Sequence, residues 1–182
     1  QYTNVYNSRK HNFDLLRKEN HEGMVKLIND SLPENAGIVR IHVAGDFFSL
    51  PYMHAWYVVA LMNPNTLFYA YTKSTSWWVG GINEFPILHN FVLTASMGGT
   101  QDHVTENYGL RKAVVVFSEA EAAELGLEID HDDSHAAKPS LRNQDFALLI
   151  HGTQPAGSKA AQALKELKGK GSYSRKKKET VS

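Results

Sequence analysis

Short apolar segments rich in β-branched and aromatic residues recur along the chain, helical patterns fill several of the gaps, and polar residues follow each segment. The segments lie about two dozen residues apart, the length a crossover between parallel neighbours requires, so the sequence predicts an α/β protein with a mostly parallel sheet built from right-handed βα repeats. Spacing alone allows two forms, a partial β/α-barrel-like arrangement and an open doubly wound sheet. The barrel-like form is the expectation.

The elements follow in order. Residues 12–32 place Phe13, Leu16, Met24, Leu27 and Ile28 at mixed three- and four-residue spacings among charges, which predicts an amphipathic helix broken or bent near Gly23 and ended by Pro33. Residues 38–44 form an apolar strand closed by Gly45 and Asp46. Pro51 suits a first helical turn, and Asn63-Pro64-Asn65 stops the helix that it opens over 51–62. Strands are predicted over 66–71, 91–96, 113–117 and 146–151. Between the first two of these lies a short helix over 76–82, whose Trp77-Trp78 pair reads as packing onto the sheet more readily than as a stacking platform. Ser118-x-x-Glu121 has the form of a capping box and opens a helix to Leu125. The stretch 130–143 is polar and aperiodic, so it reads as a solvated loop, and 158–167 is an Ala/Leu/Lys helix. Residues 1–168 are therefore expected to form one α/β domain, with a helical segment over 1–32, and 169–182 a flexible basic tail.

The 182 residues carry 19 Lys and Arg against 19 Asp and Glu and no Cys. Zero formal charge excludes binding to nucleic acid by bulk positive charge alone. A local excess remains between 157 and 178, where eight basic residues stand against Glu166 alone. Within it, Lys170, Arg175, Lys176, Lys177 and Lys178 are the candidate nucleic-acid contacts of the tail. Without Cys there are no disulfides, thiolate nucleophiles or sulfur-based metal sites. The longest apolar run, about 55–62, is too short for a membrane span, so no membrane partner is expected and the host cytoplasm is the expected location. The chain opens with Gln1 rather than Met, which leaves room for residues upstream.

In parallel α/β sheets, ligands sit at the carboxyl ends of strands, where loops and helix N-termini converge. Three residues there suit catalysis: Asp46 as a base beside Phe47 and Phe48, Lys73 as an anion holder, and His151 at the mouth of the last strand. His42, Tyr71, Thr72, Ser96, Thr153 and Gln154 are the accompanying ligand-binding candidates. Gly152 and Gly157 lead into the last helix in the manner of a phosphate-binding turn, although the Walker A spacing is absent. His131, Asp132, Asp133 and His135 have the chemistry of metal ligands, but their polar, aperiodic surroundings favour a loop, and no metal site is expected.

The run Arg40-Ile41-His42-Val43-Ala44-Gly45-Asp46-Phe47-Phe48-Ser49, followed by Tyr52, Trp56, Pro64 and Tyr71-Thr72-Lys73-Ser74, resembles the phage and plasmid proteins of the gene product 88 family. Ser96-Met97-Gly98-Gly99, the 130–136 stretch and Leu149-Ile150-His151-Gly152-Thr153-Gln154 extend the resemblance over about 40–173. It implies a viral or mobile-element origin more firmly than an activity. Family members carry a cysteine-bearing segment ending in Cys-Tyr-Ala, a layout similar to radical enzymes that hold an iron–sulfur cluster and S-adenosylmethionine. This chain has no thiolate for such a cluster. The expected function is thus binding of a nucleotide or nucleic acid at the strand ends, with cofactor and oligomeric state open. The alternative is a non-catalytic nucleic-acid-binding or virion-assembly protein that uses its tail.

Overall fold

A computed structural model describes residues 3–168 together with Lys170 and Ser172. The elements, in chain order, are α1 (Thr3–Leu16), α2 (His21–Ser31), β1 (Ile38–Arg40), α3 (Leu50–Met62), β2 (Leu67–Thr72), α4 (Thr75–Glu84) and β3 (Phe91–Ser96). There follow α5 (Asp102–Asn107), β4 (Lys112–Val116), α6 (Glu119–Glu124), β5 (Glu128–Ile129), α7 (Ser134–Ala137), β6 (Phe146–Leu149) and α8 (Lys159–Glu166). The strands form a six-stranded parallel sheet of order β1-β2-β3-β4-β6-β5. The sheet is open rather than closed into a barrel: β6 inserts between β4 and β5, so chain order reverses there and β5 becomes an edge. The described residues fall into two compact units, one running to Ala70 and resuming over Ser76–Val92, the other comprising Tyr71–Thr75 and residues from Leu93 onward.

In the first unit the predicted helix over 12–32 is two helices. The break falls at residues 17–20 rather than at Gly23, because Asn20 adopts an extended backbone and its Oδ1 accepts from Gly23 N at 2.8 Å, capping α2. Ser49 caps α3 in the same way, with Pro51 in the first turn. Helix α3 buries Tyr52, Met53, Ala55, Trp56, Val59 and Ala60, and Trp56 packs against Phe68 of β2. The helix C-terminus is held by Asn90, 5% exposed, whose Nδ2 donates to the carbonyls of Ala60, Asn63 and Thr66 at 2.8–3.0 Å. β1 is shorter than predicted, pairing from Ile38↔Leu67 to Arg40↔Tyr69 before the chain turns away.

In the second unit, β4 and β6 pair over four residues, from Ala113↔Phe146 to Val116↔Leu149. One face of this pair, Val116, Ala147 and Leu149, packs with Ala122 of α6 and Leu167 after α8. Phe146, of opposite parity, meets Tyr71 and His135 on the other face. Ser118 caps α6 by accepting from Glu121 N, while Glu121 accepts from Phe117 N, one residue earlier than a reciprocal box requires.

The solvated loop expected at 130–143 is corrected over its first half. Asp130, Asp133, His135 and Ala136 are buried. The reason is a carboxylate that replaces solvent: Asp130 accepts from the backbone N–H groups of Asp132, Ser134 and His135 at 3.0–3.2 Å, which folds the polar segment inward as α7. Ser172, 1% exposed, closes the same region by accepting from Leu149 N at 2.9 Å and donating to the Asp130 carbonyl at 2.6 Å. Replacing Ser172 by Ala leaves both groups buried without that partner. It is expected to cost about 1–3 kcal/mol, visible as a lowered midpoint in thermal unfolding, whereas an unchanged midpoint would show that the contact contributes nothing.

Candidate functional site

The turn leaving β1 concentrates aromatic and imidazole rings in the first unit. Arg40 Nε donates to the His42 carbonyl at 3.0 Å, the chain bends at Val43 and Ala44, Gly45 takes φ +91°, and Asp46 Oδ1 accepts from Phe47 N at 2.7 Å. A left-handed residue at this point suits glycine, which has no Cβ to clash. Downstream, Ser49 starts α3 with Tyr52 and Trp56 one turn apart on one face. The rings converge: Phe47 meets His42 edge-on at 4.8 Å, Phe48 stacks on Tyr52 at 4.3 Å and 13°, and His42 Nε2 lies 3.3 Å from the Tyr52 hydroxyl. His42, Phe48, Tyr52 and Trp56 line an open groove of about 1240 Å³, together with α1 residues that include Tyr6, Arg9 and Phe13, and with Arg17 just beyond that helix. Phe13 reaches across to Phe48, with ring centroids 5.2 Å apart.

Burial sets the electrostatics of this groove. It pushes the His42 imidazole down to about 4, outweighing the Asp46 charge that pulls it up, so the ring is neutral near pH 7. Burial likewise raises the Tyr52 phenol, against the opposing influence of Trp56. One buried nitrogen here, His42 Nδ1, has no hydrogen-bond partner, and the Trp56 indole N–H is directed toward the Tyr52 hydroxyl without making a full hydrogen bond. Buried polar atoms are normally paired, so an unmet imidazole nitrogen and an incompletely paired indole N–H beside an open groove suit a ligand with polar edges.

The other predicted site residues belong to the second unit, and the structure brings several of them together. Lys73 Nζ donates to Ser96 O at 3.0 Å, Ser96 Oγ at 3.3 Å and Met97 O at 2.7 Å, which gives each of its three donors an acceptor. Its stem lies over Gly99, where a Cβ would stand 3.2 Å from Lys73 Cδ. The Gly98 and Gly99 N–H groups, which would suit an anion, both donate to Asp102 at 2.9 Å. Tyr71 donates to Asp133 Oδ1 at 2.8 Å, and Thr72 Oγ1 accepts from Ser74 N at 3.0 Å. His151 Nδ1 lies 3.0 Å from the Leu149 carbonyl, Gln154 Nε2 donates to His151 O at 2.7 Å, and Thr153 is exposed. Lys73 with Ser96, and His151 with Gln154, thus hold loops in place. Asp46 and His42 belong to the first unit, in the groove. Of the tail candidates, Lys170 is exposed, and Arg175, Lys176, Lys177 and Lys178 lie outside the described residues.

Sequence reasoning about strand ends named His42 and Asp46 but passed over the walls supplied by helices. Tyr52 and Trp56, four apart after Pro51, carried a usable signal; nothing in the spacing of α1 marked Arg9 as a groove residue.

The histidine gives a pH test. The unfolded chain takes up a proton at His42 near 6.5, the folded chain only near 4, so stability falls as pH drops through that window. The interval corresponds to about 3 kcal/mol. His54, also lowered by burial, acts in the same direction. Denaturant unfolding at pH 7 and pH 5 is expected to show roughly 2 kcal/mol of this loss, the remainder falling below pH 5, and His42→Phe to reduce it; an identical pH dependence in the variant would contradict the assignment.

Comparison with known protein families shows that the family model described as Gene product 88 matches residues 1–168. No curated protein and no solved structure matches the chain. Among the described residues, no helix is long and apolar enough to cross a membrane.

Proposed function

We propose, for a chain that belongs to the Gene product 88 family, that the groove between α1 and the β1–α3 turn binds a ligand of the nucleotide class. The observation that carries this reading is the pairing of stackable rings with polar atoms that lack a full hydrogen bond: Tyr52 and Phe48 beside Trp56 Nε1 and His42 Nδ1. A nucleobase offers both a π-face and carbonyl or ring-nitrogen acceptors at its edge. The indole N–H is a donor only and calls for such an acceptor. A neutral imidazole can donate or accept according to its tautomer, which the ligand would help to fix. Asp46 supplies the negative end of the groove, placed to hydrogen-bond an amino or hydroxyl group. The phage or plasmid origin implied by the family resemblance, and a host-cytoplasmic location, belong to the same proposal, since nucleotides are abundant there.

Titration with thymidine 5′-monophosphate (dTMP), followed by tryptophan fluorescence, tests it. Saturable quenching is expected, and Tyr52→Leu should weaken binding about tenfold, the scale of one lost stacking contact. Asp46→Asn keeps an acceptor for Phe47 N and removes the charge; it should fold normally and bind more weakly. If the protein instead holds nucleic acid by its tail alone, Tyr52→Leu leaves affinity unchanged, and the groove reading fails.

A further inference from the structure

Helix α1 is an unusual wall. Across its 14 residues none is buried, although it carries Val5, Tyr6, Phe13 and Leu15, all 41–52% exposed. Its groove-lining residues include Tyr6, Arg9, Lys10 and the run 12–16, with Arg17 just beyond the helix, so α1 meets the groove along most of its length. Three cations, Arg9, Lys10 and Arg17, are among them. Lys10 and Arg17 both pair with Asp14, which lies between them in sequence, and Arg17 also sits 5.4 Å over the Phe13 ring. The Arg9 side chain has no hydrogen bond or ion pair among the described residues, yet it lines the groove.

We propose that α1 is the phosphate-recognising side of the groove, and that Arg9 selects phosphorylated ligands over their unphosphorylated forms. This rests on the nucleotide reading above and adds to it which part of the ligand α1 reads. A guanidinium presents a planar fork that matches two phosphate oxygens, and a charge-assisted pair of that kind is stronger than a neutral hydrogen bond. The base then lies on the Tyr52 side and the phosphate on the α1 side. The groove is large enough for both, exceeding the roughly 300–1,000 Å³ usual for small-molecule pockets. The same chemistry is offered by a single nucleotide and by the backbone of a single strand.

The full chain is titrated with thymidine, dTMP and the oligonucleotide dT10, as wild type, Arg9→Gln and Tyr52→Leu, with circular dichroism as the check on folding. Wild type is expected to prefer dTMP to thymidine by about tenfold, and Arg9→Gln to remove that preference while keeping thymidine affinity. Tyr52→Leu should weaken all three ligands. Tighter binding of dT10 than dTMP, lost in Arg9→Gln, assigns the phosphate to a strand; equal binding assigns it to a single nucleotide, and either supports the proposal. Equal wild-type affinity for thymidine and dTMP, or a preference that survives Arg9→Gln, overturns it. In those cases the nucleotide reading stands if Tyr52→Leu still weakens binding. If no thymidine compound binds wild type, both fail together.

Discussion

The left-handed backbone of Gly45, with φ +91°, is the constraint from which the groove follows. It lies between β1, which fixes where the chain leaves the sheet, and Ser49, which fixes where α3 begins. With both ends determined, the intervening residues are brought to one place: His42 before Gly45, Phe47 and Phe48 after it, Tyr52 and Trp56 on the first two turns of the helix. Any residue with a Cβ is strained at this φ. Movement there would separate His42 from Phe47 and Tyr52, and with them the low-dielectric surroundings that keep the imidazole neutral.

The two units use polar residues in opposite ways. In the second, the polar groups at strand ends satisfy one another: Lys73 holds the end of β3, Asp102 occupies the Gly98 and Gly99 N–H pair, Asp130 gathers three amides, and Ser172 bridges Leu149 and Asp130. Such networks rigidify loops. In the first unit, two buried nitrogens stay without a full hydrogen bond beside an open groove, and a cation faces it from a helix that buries nothing. The place of these atoms beside an open groove, rather than the position of strand ends, singles out the groove.

Much of the architecture was legible because it is local. Strand 91–96 is found where the sequence places it, and the helix starts at Ser49–Pro51, Ser118 and Ser158 are cap chemistry readable residue by residue. What was not legible depends on partners distant in sequence. That the sheet stays open could not be read because β5 is two residues long and β6 returns inside it. The burial of 130–136 was hidden because its apolar content is low; one carboxylate does what hydrophobic periodicity does elsewhere. For the site, Asp46 and His42 were visible at a strand end, whereas the role of Lys73 as a clamp needed the positions of Ser96 and Met97. Arg9 needed the groove itself.

The central claim, that the groove of the first unit is the ligand site, is tested most directly by nuclear magnetic resonance of the Trp56 indole N–H during addition of dTMP. The account predicts a large, saturable shift of that resonance together with the amides of 42–52, while the Gly98 and Gly99 amides, already held by Asp102, stay in place. Shifts confined to Gly98, Gly99 and the 151–154 loop, with Trp56 unmoved, would contradict it.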